Sequence, residues 1–552
     1  MATFPLKSTT GRWVLSATIL ASAMAFIDST ALNVVLPALQ RALNASGADL
    51  FWVLNAYLLV LAALILVGGS LGDRLGRKRV YMIGIFIFIV GSTACGLAPD
   101  VHFLVGFRVL QGLGGALMIP GSLSLLSSSI DAGERGKAIG TWSAVTTVVT
   151  MGGPVLGGAL ADAGLWRGIF FINVPIGLAT LLILARKVPE SREAGAAREL
   201  DVPGVLAIAL GLAALSFGFL RMPALGAGNF AIWGSLVLGV VLLGVFVWIE
   251  GRRRDPMMPL FLFANRTFSG VNALTFFLYA GLGAGMLFLS LDLVQVQGYS
   301  QLQSGLTFLP FTVLMIGIAR WAGTLADKHG AKLFLVAGPA MAGLGLLILS
   351  FVGQTQGPRE YWTSFLPGVL GLGLGMAFTV APLTTTVMSS VSDEHSGVAS
   401  GVNNAMTRIA GVFANAIFGA LAVLFFAGAL QGRLDRMELP LSPQQKQAVL
   451  VQAANLGNAE APAGLSATAA AAVGKVYKES FITVYGDILR LSAGLALLGA
   501  VIGLFFVRGK RAGNSAGDAA AGSAGDTATG SAGDAATGSA GDTATGQDTT
   551  KR

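Results

Sequence analysis

Long apolar stretches recur along the chain, separated by short polar segments that carry most of the charge. A helix needs about 20 apolar residues to cross the roughly 30 Å hydrocarbon core of a bilayer. By that criterion the fold class is an all-α polytopic membrane protein with about 14 transmembrane helices. The apolar stretches cover residues 13–36, 50–71, 80–97, 103–125, 138–160, 169–184, 202–220, 230–249, 268–294, 305–325, 333–352, 365–387, 398–426 and 488–507.

The composition agrees with a lipid-exposed surface. Apolar residues make up 54% of the chain and charged residues only 12%, whereas a soluble domain carries about 25% charged residues. The formal charge is +8, but the basic residues lie mainly in short loops, so we expect no nucleic-acid partner. Cys95 is the single cysteine and excludes an internal disulfide. The three histidines lie far apart in sequence, and we expect no metal site.

The basic loops also predict an orientation. With both termini in the cytoplasm, roughly 23 Lys and Arg residues lie inside and about 9 outside, in keeping with the positive-inside rule. We therefore expect an integral protein of the inner or plasma membrane. The predicted organisation is a cytoplasmic N-terminus (1–12), an N-terminal six-helix bundle (13–185), linkers with two further helices (186–267), a C-terminal bundle (268–507) and a cytoplasmic tail (508–552).

Two polar segments fall outside the predicted spans. Residues 428–480 are predicted to be extracytoplasmic, and within them Ser442 and Pro443 form a helix start for a short helix through Val451. The segment 508–552 repeats small and polar residues and lacks large apolar ones. It cannot bury a core, so we predict that it is disordered.

One loop pattern occurs twice, at 69–78 and at 323–332. Gly, Leu, Asp, a cation, Gly and Lys recur at identical spacing, each time after a predicted span. Glycines allow a sharp reversal between helices, and duplicated bundles are a common way to build transporters. The candidate gating residues are Gly69, Gly72, Asp73, Arg74, Gly76 and Arg77 in the first copy, and Asp327, Lys328 and Gly330 in the second.

With this duplicated loop the chain resembles the major facilitator superfamily, in particular its fourteen-helix drug:proton antiporter branch. Further stretches that look like motifs of that branch lie at 28–37, 108–116, 152–158, 171–177 and 397–401. The resemblance implies two pseudo-symmetric six-helix bundles with two inserted helices, starting near 202 and 230. It also implies proton-coupled export of drugs, and hence antibiotic resistance.

Ionisable residues inside spans cost about 2.5 to 3.5 kcal/mol on insertion scales, so each needs a reason. At 1.5 Å per residue, Asp28 and Arg108 both lie about 22 Å above the cytoplasmic side. Burial favours a neutral acid and a nearby arginine favours the carboxylate, so Asp28 can exchange protons or bind a cationic substrate. The alternative is a static salt bridge. The candidate coupling and cavity residues are Asp28, Arg108, Asn33, Gln111, Asn403, Asn404 and Arg408.

The glycine-rich stretch at 152–158 also has two interpretations. By resemblance it is the antiporter motif of a flexible or tightly packed gating helix, with Gly152, Gly153, Pro154, Gly157 and Gly158. The alternative is an ordinary helix-packing surface in which Pro154 kinks the span.

The chain lacks a Gly-x-x-x-x-Gly-Lys-Ser/Thr loop, so it carries no ATP-hydrolysing domain of its own, and an ion gradient is the expected energy source. It shows no clustered catalytic residues, and we expect neither an enzyme nor a cofactor. The predicted function is a monomeric transporter that exchanges protons for amphipathic or cationic drugs or metabolites by alternating access. Uptake or exchange of a small metabolite stays open, as does a membrane receptor or channel.

Overall fold

The computed structural model describes residues 3–190, 201–254, 256–392, 395–436 and 441–507. Within these ranges, fourteen helices are long and apolar enough to cross a membrane. This confirms the predicted all-α polytopic fold and the number of spans. The predicted disordered tail, 508–552, lies outside the described residues.

The N-terminal bundle forms because each of its helices is apolar over most of its surface and carries glycines where it meets a neighbour. Helix pairs α2–α4, α3–α4 and α1–α5 make its most extensive contacts. The helices are α1 (Thr9–Leu43), α2 (Gly47–Leu75), α3 (Arg77–Gly96), α4 (Val101–Ser129), α5 (Ala132–Asp162), α6 (Gly168–Phe171) and α7 (Asn173–Lys187).

Two inserted helices follow, α8 (Val202–Leu225) and α9 (Phe230–Arg252). Asp201 begins α8 by accepting a hydrogen bond from the Gly204 backbone N–H at 2.9 Å, and it pairs with Arg253 at 2.8 Å. The two helices pack on each other, and α8 also packs on α2. Most of α9 is exposed apolar surface, as expected for a helix that faces lipid.

The C-terminal bundle is built around the pairs α10–α18 and α13–α15. Its helices are α10 (Arg266–Gln295), α11 (Gln301–Leu306), α12 (Leu309–His329), α13 (Ala331–Leu349), α14 (Tyr361–Ser364), α15 (Leu366–Ser389), α16 (Ser396–Leu434), α17 (Pro443–Val451) and α18 (Ala467–Phe506). The predicted short helix is α17, and Ser442 caps it as expected.

Two predicted spans are interrupted near prolines. The span predicted at 169–184 breaks at Ile172, and Pro175 has no N–H to donate to the Phe171 carbonyl. The span predicted at 305–325 instead divides into α11 and α12, and Pro310 cannot donate to Leu306. Each of these spans is therefore divided into two helices where hydropathy alone predicted one continuous helix.

The duplicated loop forms the same turn in both bundles. Gly76 separates α2 from α3 with φ of 107°, and Gly330 separates α12 from α13 with φ of 92°. Residues that carry a side chain rarely adopt this backbone conformation. Glycine adopts it readily, so one residue is enough to reverse the chain between two helices. Lys78 Nζ donates to the Val188 carbonyl at 2.7 Å and ties the first turn to the end of α7. The side chains of Asp73 and Asp327 lie outside the described part of the chain.

The polar segment 428–480 is more helical than predicted, because α16 continues to Leu434 and α18 begins at Ala467. The first turns of α18 bury Val473, Tyr477 and Phe481, which are spaced four residues apart on one helix face. At 1.5 Å per residue, α18 is about 60 Å long, twice the hydrocarbon thickness. Its first half therefore extends beyond the membrane core.

The two bundles meet at one face of the molecule. We call the face that holds Thr9 and Phe506 the terminal face, and the face where α1 and α10 end the opposite face. At the opposite face Gln40 accepts hydrogen bonds from Gln295 at 3.1 Å and from Asn458 at 2.8 Å. α1 and α10 therefore run in the same direction, and residues near Asn458 cover the junction.

Candidate functional site

A buried ion pair links α1 and α4. Arg108 Nη1 donates to Asp28 Oδ2 at 2.5 Å, and the side chains are 1% and 0% exposed. Gln111 Nε2 donates to the other carboxylate oxygen, Asp28 Oδ1, at 2.8 Å, and Arg108 also donates to Gln111 Oε1 at 2.7 Å. Three side chains predicted from sequence therefore form one closed network, in which both carboxylate oxygens accept hydrogen bonds.

Residues that the sequence did not single out complete the surroundings of Arg108. Its Nε donates to the Val53 carbonyl at 3.2 Å, and its guanidinium lies 4.4 Å from the centre of the Tyr57 ring. Cys95 is buried with its sulfur 3.8 Å from Gln111 Oε1. The guanidinium is therefore held by a carboxylate, two carbonyl-type oxygens and an aromatic face.

Polar side chains also occur on α16, in the other bundle. Asn403 Nδ2 donates to Asn272 Oδ1 at 3.1 Å and to Thr275 Oγ1 at 2.8 Å, and these bonds attach α16 to α10. Arg408 is half-buried on the same helix. α16 also contacts α2, because Asn55 Nδ2 donates to the Val412 carbonyl at 3.4 Å. The helix that carries Tyr57 against Arg108 is therefore also in contact with α16.

The glycine-rich stretch of α5 lies at the junction between the bundles. A Cβ on Gly157 would meet the Ala31 carbonyl of α1 at 2.7 Å, and a Cβ on Gly158 would collide with the Gln301 carbonyl of α11. A Cβ on Gly305 of α11 would in turn collide with the Pro154 carbonyl. Small residues thus let backbone pack on backbone, as is typical of helix contacts in membranes.

Asp162, the last residue of α5, strengthens this junction. It accepts hydrogen bonds from the Ser300 hydroxyl at 2.6 Å and from the backbone N–H groups of Gln301 and Leu302 at 2.8 and 2.9 Å. A carboxylate at a helix start satisfies N–H groups that have no partner inside the helix. The residue joins the bundles at the opposite face, and sequence reasoning missed it.

The sequence model of the Major Facilitator Superfamily matches residues 18–415. The chain belongs to the Major Facilitator Superfamily. It is 32% identical over 490 residues to the tetracenomycin C resistance and export protein of Streptomyces glaucescens, covering 87% of this chain and 89% of that protein. It is 35% identical over 427 residues to the multidrug resistance protein Stp of Mycobacterium tuberculosis, covering 76% and 78%.

A third relative of this superfamily member is the methylenomycin A resistance protein of Bacillus subtilis, 32% identical over 428 residues, covering 76% of this chain and 90% of that protein. Among solved structures, a bacterial homologue of the human lysosomal transporter Spinster superposes with a TM-score of 0.62. It is 17% identical and covers 90% of this chain and 98% of that one. The fourteen candidate spans are those expected for the fourteen-helix branch. The chain is thus a membrane transporter rather than an enzyme.

The other predicted site residues of this transporter fall in separate places. Asn33 lies one turn beyond Asp28, where its backbone carbonyl accepts a 3.5 Å hydrogen bond from Ser290 of α10. Asn404 is exposed, and its amide donates to the Ser400 carbonyl at 3.1 Å. A Cβ on Gly152 would meet no other atom within 4 Å, so this glycine takes no part in the α5 junction.

The motif at 171–177 has a structural explanation in this superfamily member. Asn173 Nδ2 donates to the Ser92 hydroxyl at 3.0 Å, and that hydroxyl donates to the Phe170 carbonyl at 2.8 Å. Buried polar groups need such partners. The motif therefore attaches the sixth span to α3.

A second buried acid, Asp292, lies near the opposite-face end of α10. Gln297 Nε2 donates to its Oδ2 at 3.0 Å, whereas its Oδ1 has no hydrogen-bond partner among the described residues. Asp292 is fully buried, and Gln297 also donates to the Gly353 carbonyl at 3.0 Å, so the acid lies among residues of the C-terminal bundle.

Proposed function

We propose that the protein is a proton-coupled antiporter that exports amphipathic small molecules, and that Asp28 carries the proton. The observation behind this proposal is the buried Asp28–Arg108–Gln111 network, a neutral ion pair held inside one bundle. The relatives named for resistance to or export of tetracenomycin C, methylenomycin A and several drugs support the substrate class. An ionisable pair that is costly to bury is expected to serve transport.

The network suggests how protonation is linked to conformation. A carboxylate accepts hydrogen bonds at both oxygens, but a protonated Asp28 carries a donor O–H and no charge. Protonation therefore removes the counter-charge from Arg108, and an unpaired buried charge is strongly destabilising. The α1–α4 contact must then rearrange, or Arg108 must find another partner. Either change links the proton on Asp28 to the packing of the two bundles.

The junction at the opposite face supports alternating access. Here α5 packs on α11, and Asp162 caps that helix. In our proposal this contact closes the outer side in the present state, and its release opens the cavity outward. The glycine-rich stretch then acts as a tightly packed gating surface rather than as a flexible hinge.

The same proposal fixes the orientation and the functional unit. Basic residues of the turns at the terminal face favour the cytoplasm for that face, with both termini inside. The bundles then correspond to 13–185 and 268–507, joined by 186–267. Because one chain supplies both bundles and the complete ion pair, we propose that the monomer transports.

The test is efflux from cells and from inverted membrane vesicles. Cells with and without the gene are exposed to a panel of antibiotics and lipophilic dyes, and vesicle uptake is then followed with an imposed pH gradient. We expect gene-dependent resistance to some compounds, and uptake that stops when an ionophore collapses the gradient. Transport that is insensitive to the gradient, or a panel with no transported compound, contradicts the proposal.

A further inference from the structure

Arg408 differs from the other arginine in the centre of the molecule. Arg108 is fully buried and paired with Asp28. Arg408 is half-buried, and within the described ranges it forms no ion pair or hydrogen bond. A cation in a membrane-spanning helix needs a compensating partner or access to water. The unpaired guanidinium therefore requires an explanation that the proton-carrying pair does not supply.

The packing of α16 shows which way Arg408 points. Val412 contacts α2 through a 3.4 Å hydrogen bond from Asn55 to its carbonyl, and it also packs with Phe413 in a cluster that includes residues of α8. On another side, Asn403 bonds to α10. Arg408 shares a stripe with Asn404 four residues earlier and with Val412 four residues later, and along this stripe the side chains change from exposed Asn404 through half-buried Arg408 to buried Val412.

The Asn404 end of this stripe opens to water. Asn404 is exposed and lies eight residues after the start of α16, about 12 Å along the helix, where a polar side chain faces a water-filled cavity rather than lipid. Arg408 lies one turn further along the same stripe. α16 contacts α2 through Val412 and α10 through Asn403 and Phe413, and Tyr279 is half-buried on α10. Helices of both bundles thus flank the segment of α16 that carries Arg408.

The charges around this space do not cancel. Asp28 and Arg108 form a neutral pair, and Asp292 lies 13 residues beyond Tyr279 on α10, or about 20 Å along the helix. Among the described residues, Arg408 is therefore a charge without a partner on the helix that contacts both α2 and α10. A single-sign charge in a cavity with low-dielectric walls attracts ligands of the opposite sign and repels those of the same sign.

We infer that Arg408 is a specificity-determining residue that makes the cavity select amphipathic aromatic anions over cations. The guanidinium binds a carboxylate, sulfonate or phenolate through charge-assisted hydrogen bonds. Phe276 and Phe413, half-buried with ring centres 5.8 Å apart at the contact of α10 with α16, supply aromatic surface on these helices. This inference rests on the proposed export function and revises the sequence-based expectation of cationic substrates.

The test compares two ligands that share a ring system and differ in charge. The full-length protein in detergent solution is titrated with 1-pyrenebutyrate, an anion at neutral pH, and with 1-pyrenemethylamine, a cation. Wild type is expected to bind the anion more tightly. Arg408→Gln should weaken anion binding about tenfold or more, since it removes a hydrogen bond to a charged group, and should leave cation binding equal or tighter. Arg408→Lys should keep part of the preference.

A second variant guards against misfolding of the first. Asn404→Asp places a carboxylate four residues before Arg408, where it can pair with the guanidinium along the helix, and it should likewise abolish the preference for the anion. Arg490→Gln is the matched control. It removes the same charge from an exposed pair with Asp487 on α18, and the binding ratio should stay at the wild-type value.

Two results would overturn the inference. One is a wild-type protein that does not bind the anion more tightly than the cation. The other is a pair of folded Arg408→Gln and Asn404→Asp proteins whose ratio of anion to cation affinity stays within twofold of wild type. These titrations are equilibrium measurements without a pH gradient. Failure of proton-driven export would leave the predicted ratios unchanged, and failure of anion selectivity would leave gradient-driven efflux intact. The two proposals are therefore separable.

Discussion

Replacing Asp28 with Asn leaves the Arg108 guanidinium buried without a carboxylate. With charge centres about 4 Å apart and an effective dielectric constant of about 20, the lost attraction is about 4 kcal/mol. Breaking one side of a buried pair costs about 3–5 kcal/mol in proteins. The Val53 carbonyl and Gln111 Oε1 still accept hydrogen bonds from Arg108. We therefore expect Asp28→Asn to lower the free energy of unfolding by about 3 kcal/mol.

A double-mutant cycle measures this coupling. Asp28→Asn, Arg108→Gln and the double variant are unfolded in mixed micelles, and the free energies are compared. The double variant carries neither charge, so it should be more stable than the sum of the single changes predicts, by about 2–3 kcal/mol. The exposed pair of Arg490 and Asp487 is the control, and its coupling should be under about 1 kcal/mol. Additive costs at Asp28 and Arg108 would refute the reasoning.

Transport by the double variant then separates a coupling role from a static one. If the pair only holds α1 against α4, the stable double variant should transport as well as wild type. If Asp28 carries the proton, the double variant should fold and yet fail to drive uptake from a pH gradient.

Three further predictions concern the turns and the junction between bundles. Gly76→Ala forces a side chain into a backbone conformation with φ of 107° and should lower stability by about 1–3 kcal/mol in thermal unfolding, whereas Gly133→Ala, in open space on α5, should not destabilise the protein. Gly158→Ala should separate α5 from α11 and so increase the labelling, by an impermeant maleimide, of a cysteine introduced at the opposite face. Gly152→Ala is the control and should leave this labelling unchanged. Equal labelling of the Gly158→Ala and Gly152→Ala proteins would contradict the packing of α5 on α11. Asp162→Asn removes the acceptor charge at the start of α11 and should increase the same labelling; wild-type labelling would mean that this cap does not hold the junction.

The shared depth of Asp28 and Arg108 was predictable, because the axial rise of a helix is fixed. Whether the two side chains face each other was not, since the rotation of each helix about its axis depends on packing against its neighbours. Tyr57 illustrates the same limit. An aromatic residue in an apolar span is usually a packing or lipid-facing residue, and nothing in its sequence context marks it as the surface beneath Arg108.

The ends of the helices show a different limit. Hydropathy missed the first half of α18, because a helix that buries Val473, Tyr477 and Phe481 on one face averages to a polar segment. The break before Pro310 was available from the sequence, since proline cannot donate inside a helix. The contact between Asp162 and α11 joins residues about 140 positions apart and depends on how the bundles dock.

The exchange of protons at Asp28 is tested most directly by proton release from the purified protein. A compound identified in the efflux panel is added to protein in weakly buffered detergent solution, and a pH indicator reports released protons. If substrate and proton binding are coupled through Asp28, wild type should release about one proton per bound molecule at a pH where the acid is protonated. Asp28→Asn should bind the compound and release none. Equal proton release by wild type and Asp28→Asn would contradict the assignment of Asp28 as the proton carrier.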